Sequence, residues 1–168
     1  MNIKYLLALL NSTLYTYVVQ QKMITNEQAF PQILMTDLEN LRIPIIPIDQ
    51  QQPFIALADK MLTLSGDLQQ KVSRFLRRIR ETYNLEKTTA TLETFYTLSF
   101  SDFVKELGKQ KVKLTLVQKG ELEDYFNAYQ AECQSLKTAI ATTDREIDQM
   151  VYALYGLTDE EVKVMENQ

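Results

Sequence analysis

Two groups of basic residues have the types and spacing that suit one kind of chemistry, the binding of phosphate groups. Arg74, Arg77 and Arg78 lie three and four residues apart, so on a helix they share one face and can follow a row of phosphates. The first group as a whole is Lys71, Arg74, Arg77, Arg78 and Arg80. The second group is Lys105, Lys109, Lys111 and Lys113.

An alternative interpretation is that both groups only solvate the surface and pair with acidic residues nearer the end of the chain. The net charge of the whole chain is −4. Residues 1–120 carry 15 Lys+Arg and 11 Asp+Glu, a net charge of +4, whereas residues 121–168 carry 3 and 11, a net charge of −8. Charge alone therefore leaves both interpretations open.

Catalytic chemistry has little support in this sequence. Histidine is absent, which removes the usual general base and the commonest metal ligand. The single cysteine, Cys133, falls on an apolar helical stripe and is predicted to pack in a core. No G-x-G-x-x-G, P-loop, C-x-x-C or H-E-x-x-H motif occurs. We therefore assign no catalytic residue and no metal ligand.

Other residue groups indicate structure rather than chemistry. The acidic runs at 121–124 and 159–161 are typical of solvated helical faces. Six tyrosines on predicted helices favour packing over the stacking of nucleic-acid bases: Tyr15, Tyr17, Tyr125, Tyr129, Tyr152 and Tyr155. One cysteine forms no intramolecular disulfide and fits a reducing cytoplasm. No apolar run approaches the ~20 residues of a membrane span.

The elements that must position the basic groups are two long helices. Apolar residues recur every three or four positions from Phe54 to Tyr83 and from Leu122 to Leu154, and glycine and proline number only four each. The pattern predicts a mainly α protein with a long antiparallel helical hairpin or bundle. An intermolecular coiled coil, and hence a homodimer, would use the same seams. Breaks at Ser65-Gly66 and near Thr143 are open alternatives.

The start of the chain has a different pattern, typical of a small α/β unit. Residues 3–19 predict a helix, 22–28 a polar loop and 30–35 an extended edge segment that contains Pro31. A capping box at 36–39 and a proline-rich connector at 42–48 follow. We therefore predict two domains, residues 1–48 and residues 49–168.

Capping signals divide the remainder of the chain into further helices. Asp49 is predicted to begin the first long helix, with Pro53 in its first turn. Shorter helices are predicted from Thr88 to Phe95 and, capped by Ser101 and ended by Gly108, up to Leu107. The other signals are a Thr115–Gln118 capping box, a Gly156 stop and a terminal helix from Thr158.

Four segments resemble parts of DNA restriction–modification proteins. Residues 5–12 resemble the "YLLALLNS" helix late in the target-recognition domain of DNA methyltransferases. Residues 30–45 resemble the strand and "L-x-I-P-I" exit that close that domain, and residues 50–55 resemble the start of the spacer helix in type I specificity subunits. Residues 147–158 resemble the "ID-x-x-VY-x-LYGLT" tail of bifunctional type IIG restriction–methylation enzymes.

This resemblance implies the C-terminal region of a type IIG-like restriction endonuclease and adenine-specific DNA methyltransferase. The parent enzyme would use S-adenosylmethionine and Mg, but this sequence lacks the family's Asn-Pro-Pro-Tyr loop and its nuclease motif. Residues 1–48 would end the target-recognition domain, and residues 49–168 would form a helical spacer. The implied partners are double-stranded DNA, an upstream methyltransferase domain and, through the helical seams, a second copy.

The expected DNA contacts combine the resemblance with the basic groups. Lys22, Thr25 and Asn26 lie in the polar loop that we expect to face DNA. The phosphate contacts are expected from Arg74, Arg77, Arg78, Lys109, Lys111 and Lys113. The rival hypothesis is a helical protein–protein interaction module without any DNA contact.

Overall fold

The computed structural model describes residues 1–22 and 39–167, and in that part of the chain it is helical without strands. The mainly α prediction is confirmed. The helices are α1 Ile3–Leu10, α2 Thr13–Lys22, α3 Ile48–Tyr83, α4 Ala90–Glu93, α5 Phe100–Lys109, α6 Leu116–Tyr155 and α7 Asp159–Glu166, with a 3₁₀ turn at Phe95–Thr97. The extended segment predicted at 30–35 and the capping box that begins at Thr36 lie outside the described residues.

The single helix predicted over residues 3–19 is wrong, because two side chains interrupt it. Asn11 donates through Nδ2 to the carbonyl of Leu7 at 2.9 Å, and Ser12 donates through Oγ to the carbonyl of Leu9 at 2.7 Å. Asparagine and serine compete in this way with the backbone donors of the next turn. Helix α1 therefore ends at Leu10, and α2 starts afresh at Thr13.

One compact unit comprises residues 1–62 and 141–168. Its core joins the N-terminal helices to the first part of α3 and the last part of α6, which run antiparallel within the unit. Lys60 bonds Glu146 at 3.3 Å, while Pro53 and Ala153 line the same groove. The buried core residues are Tyr5, Ala8, Leu9, Tyr15, Phe54, Ala58, Ile147 and Val151.

The other compact unit comprises residues 63–140 and has an aromatic core. Phe75 stacks on Phe95 with ring centroids 3.8 Å apart, and Phe103 lies 4.9 Å from Phe126. Cys133 is fully buried among them, which confirms its predicted packing role. Its α3 and α6 segments run antiparallel within the unit, because Lys71 pairs with Glu132 while Tyr83 lies beside Glu121.

Both long helices are continuous where the sequence left breaks open. Gly66 lies inside α3, and nothing approaches the position of its missing Cβ within 4 Å. Thr143 lies inside α6, fully buried, rather than at the start of a new helix. Pro53 falls in the second turn of α3, not the first, because the helix already begins at Ile48.

The shorter helices differ from their predicted limits. The helix predicted from Thr88 to Phe95 is α4, which spans only Ala90–Glu93 and is capped by Thr89, and α5 continues past Gly108 to Lys109. Ser99 rather than Ser101 caps α5, because the Ser99 Oγ accepts from the amide of Asp102 at 3.1 Å and donates to the Asp102 carboxylate at 2.7 Å. The capping box at Thr115 and Gln118 is confirmed, with bonds of 2.9 and 3.3 Å. No helix in the described part of the chain is long and apolar enough to cross a membrane.

Candidate nucleic-acid interface

The basic residues of α3 occupy the exposed side of an element whose other side is fixed in the core. Phe75, Leu76 and Ile79 are buried, and this forces the arginines between and around them outward. We call Arg74, Arg77, Arg78 and Arg80, all exposed, the arginine face. Among the described residues, none of the four has a carboxylate within ion-pair distance. Their charge is therefore available to an external anion.

Lys71 differs from the arginine face because it is already paired. Its ammonium group binds Glu132, and this hydrogen bond raises the pKa of Lys71. The alternative interpretation, that the basic helix pairs with the acidic end of the chain, thus holds for Lys71 alone within the first group. A neutralised lysine contributes little to phosphate binding.

The arginine face has two sides with different surroundings. Arg77 and Arg80 line a groove that also contains Thr88 and Glu93. On the other side, Arg78 lies in a smaller groove beside Tyr83, Glu121 and Tyr125. Burial, followed by the hydrogen bond to Tyr129, raises the pKa of Tyr125 to about 12, so its hydroxyl stays neutral at physiological pH.

The second basic group is divided between helix α5 and the loop that follows it. Lys109 is the last residue of α5 and pairs with Glu106, and Lys105 pairs with Asp102 at 2.8 Å. Lys111 and Lys113 are exposed in the loop beyond the helix, and Lys111 adopts a positive φ of 67°. Because both lie beyond the end of α5, they do not take part in the helical ion pairs that neutralise Lys105 and Lys109. Of this group, Lys111 and Lys113 remain candidates for an external anion.

The loop expected to face DNA is described at one position only. Lys22 is the last residue of helix α2, so its assignment to a loop is wrong. The helix continues because no breaker occurs between Thr13 and Lys22. Thr25 and Asn26 lie outside the described residues.

Three tyrosine hydroxyls hold the proline-rich connector, a function that the sequence interpretation missed. Tyr5 donates to the carbonyl of Pro44 at 2.9 Å, and Tyr15 and Tyr155 both donate to the carbonyl of Arg42, at 2.9 and 2.7 Å. The signal was present, since a proline-rich segment outside a helix needs donors for its carbonyls. Leu41, Ile43 and Ile46 pack against the same core.

A glutamine joins the connector to the first turn of α3. The buried side chain of Gln51 donates to the carbonyl of Ile46 at 2.8 Å and accepts from the amide of Asn2 at 2.9 Å. The start of the chain, the connector and the long helix are thereby fixed to one another within their unit. Gln51 thus holds both Asn2 and Ile46 at the first turn of α3.

The exposed basic side chains of the site are suited to the binding of anions. Within the described ranges, no three His, Cys, Asp or Glu side chains converge as metal ligands would. The sequence also has no Asn-Pro-Pro-Tyr segment. We assign no step through Mg or S-adenosylmethionine to the described residues.

Comparison with known proteins gives two family matches. Residues 1–45 match the TaqI-like C-terminal specificity domain, and residues 47–151 match a domain of unknown function, DUF8810. No curated protein and no solved structure matches the chain. The first match supports a target-recognition region of a restriction–modification protein at the start of the chain.

Proposed function

The chain belongs to the DUF8810 family, and from this premise we propose that it is the DNA-recognition and spacer portion of a restriction–modification enzyme. Residues 1–48 would take part in target recognition. Residues 49–168 would form the helical spacer that positions DNA for chemistry performed elsewhere in the parent protein. The observation that carries the proposal is the specificity-domain match, which covers residues 1–45.

The arginine face gives the spacer a physical means of contacting DNA. Four exposed guanidinium groups lie along two turns of α3, and no carboxylate in the described structure neutralises them. A guanidinium group binds a phosphate through two parallel N–H donors. Such contacts position a protein on the duplex without reading its sequence. Base readout would accordingly fall to the recognition region.

The experiment is a salt titration of DNA binding by the full chain. Fluorescence anisotropy measures the affinity for several duplexes of the unmodified chain and of the triple variant Arg74→Glu, Arg77→Glu, Arg78→Glu. We expect weaker binding of all duplexes alike. The dependence of log K on log salt should also become shallower, by about 0.9 for each phosphate that the variant no longer neutralises.

A matched control separates direct phosphate binding from overall charge. The triple variant Lys119→Glu, Lys137→Glu, Lys163→Glu changes the net charge equally at exposed positions of other helices. It should retain most of the affinity and the slope. An equal loss of DNA affinity in the two triple variants would contradict the proposal. So would a failure of the unmodified chain to bind DNA at low salt.

The finer assignment is to a type IIG-like enzyme, in which an upstream methyltransferase domain would bring S-adenosylmethionine and the nuclease would use Mg. It rests on the LYGLT-like tail at residues 147–158.

The rival, a dimerisation module without DNA contact, predicts a stable oligomer in sedimentation and no DNA binding. The seam residues Phe54, Ile147, Phe75 and Phe126 are buried inside their own units, which favours packing within one chain over a coiled coil between copies.

A further inference from the structure

We infer that the groove lined by Arg77 and Arg80 seats one sugar–phosphate unit of the DNA backbone, and that Glu93 limits its affinity. The inference rests on the proposed DNA-binding function and assigns it to one side of the arginine face. The groove lies wholly within residues 63–140. Its lining residues are Gln69, Val72, Ser73, Leu76, Arg77, Arg80, Thr88 and Glu93.

The composition of the groove matches the two parts of a nucleotide backbone. Val72, which is half-buried, supplies an apolar edge on which a deoxyribose ring can rest. Arg77 and Arg80 supply two cations, one helical turn apart, for the phosphate. The hydroxyls of Ser73 and Thr88 add neutral donors of the kind that commonly contact phosphate oxygens.

The apolar edge of the groove favours a backbone unit over a free phosphate ion. The groove, of about 440 Å³, has room for a phosphate group together with its sugar. An isolated inorganic phosphate would cover the arginines but leave the exposed part of Val72 in contact with water. The apolar part of the groove therefore adds affinity only when the phosphate carries a sugar.

Glu93 is the feature that distinguishes this groove from a simple cation patch. Glu93 lines the same groove as the two arginines, but its carboxylate does not reach ion-pair distance of either in the described structure. A like charge near the bound phosphate opposes binding. Replacing Glu93 by glutamine should consequently tighten DNA binding while leaving the shape of the groove unchanged.

The opposite side of the arginine face provides the comparison. Arg78 there shares a groove of about 280 Å³ with Tyr83, Glu121 and Tyr125, and Arg74 lines neither groove. The pair Arg74 and Arg78 carries the same charge on the same helix as the pair Arg77 and Arg80. If one pair of arginines is replaced in each of two variants, a difference in their DNA affinity is therefore due to the groove and not to the charge of α3.

The test measures duplex affinity of the full chain by fluorescence anisotropy at several salt concentrations. Arg77→Ala with Arg80→Ala should weaken binding by about tenfold, as expected when charge-assisted hydrogen bonds are removed, and Arg74→Ala with Arg78→Ala by clearly less. Glu93→Gln should strengthen binding about threefold, whereas the control Glu121→Gln should change it less. Circular dichroism of each variant verifies that the fold is retained.

A second arm identifies the source of the phosphate. Inorganic phosphate at equal ionic strength should not displace the duplex, whereas a short single-stranded oligonucleotide should compete. Displacement by inorganic phosphate alone would overturn the sugar–phosphate assignment. If the unmodified chain binds DNA but the two arginine double variants lose the same affinity, the groove assignment fails while the proposed function stands. If the unmodified chain binds no DNA, the proposed function itself fails.

Discussion

The hydroxyl of Tyr155 donates a hydrogen bond to the backbone carbonyl of Arg42 at 2.7 Å. The hydroxyl of Tyr15 bonds the same carbonyl at 2.9 Å, and the two phenols lie 2.5 Å apart. The last turn of α6 is thereby tied to the segment in which the specificity-domain match ends. Residues 113 positions apart in the sequence thus determine how the N-terminal region joins the helices.

Removing the Tyr155 hydroxyl tests the importance of this bond. Tyr155→Phe should lower the free energy of unfolding by about 1 kcal/mol, because the Arg42 carbonyl loses one of its two donors. Urea denaturation followed by circular dichroism measures the change. Tyr17→Phe is the control, since Tyr17 is only half-buried on α2 and its hydroxyl has no hydrogen-bond partner in the described residues. Equal effects of the two substitutions would show that the bond does not stabilise the fold.

Stability should fall at alkaline pH, because burial raises the pKa of several tyrosines. Burial, then the bond to Tyr15, raises the pKa of Tyr155, and burial raises those of Tyr5 and Tyr83 as well. Above the ordinary tyrosine pKa of about 10, the unfolded chain loses protons that the folded chain retains, so the free energy of unfolding decreases as pH rises. Urea denaturation between pH 8 and 11, as a rough range, measures this decrease. Constant stability up to the top of that range would contradict the raised values.

Sequence periodicity predicted the helices and their apolar faces, because burial of Phe75, Phe126 and Cys133 follows directly from three- and four-residue spacing. It did not predict the break at Asn11 and Ser12, where short polar side chains bond the preceding carbonyls. The arginines of the candidate site were found from spacing alone. Their division between two grooves was not, because it depends on neighbours distant in the sequence.

Alanine should have opposite effects on stability at Gly66, which is helical, and at Gly156, whose φ is positive. Gly66→Ala should raise the free energy of unfolding by up to about 1 kcal/mol, since Gly66 lies inside α3 with open space around its Cβ position. Gly156→Ala should lower it by about 1 kcal/mol or more, because Gly156 has a φ of +63° where α6 ends. Thermal and urea denaturation measure both variants. Loss of stability in Gly66→Ala would indicate that the continuous helix is strained at that position.

Asp148 is the buried acceptor that starts helix α2. Its carboxylate accepts from the Thr13 amide at 2.7 Å and from the Thr13 hydroxyl at 2.6 Å, and only 8 % of the residue is exposed. Asp148→Ala removes both bonds and leaves the amide without its acceptor, so we expect a loss of about 2 kcal/mol. Asp148→Asn keeps one neutral acceptor and should lose less.

Substitution of Asp148 should also change the pKa of Asp144, an effect that the loss of the two hydrogen bonds to Thr13 would not produce. Burial, and then the charge of Asp148, raises the pKa of the Asp144 carboxyl. Both Asp148→Ala and Asp148→Asn remove that charge, so the pKa of Asp144 should fall in each, although their stabilities differ. An NMR titration of the Asp144 carboxyl measures this value, and exchange of the Thr13 amide with solvent reports the cap. An unchanged Asp144 pKa in both variants would show that the two carboxylates do not interact. Faster amide exchange in Asp148→Ala than in Asp148→Asn would then still identify Asp148 as the cap of α2.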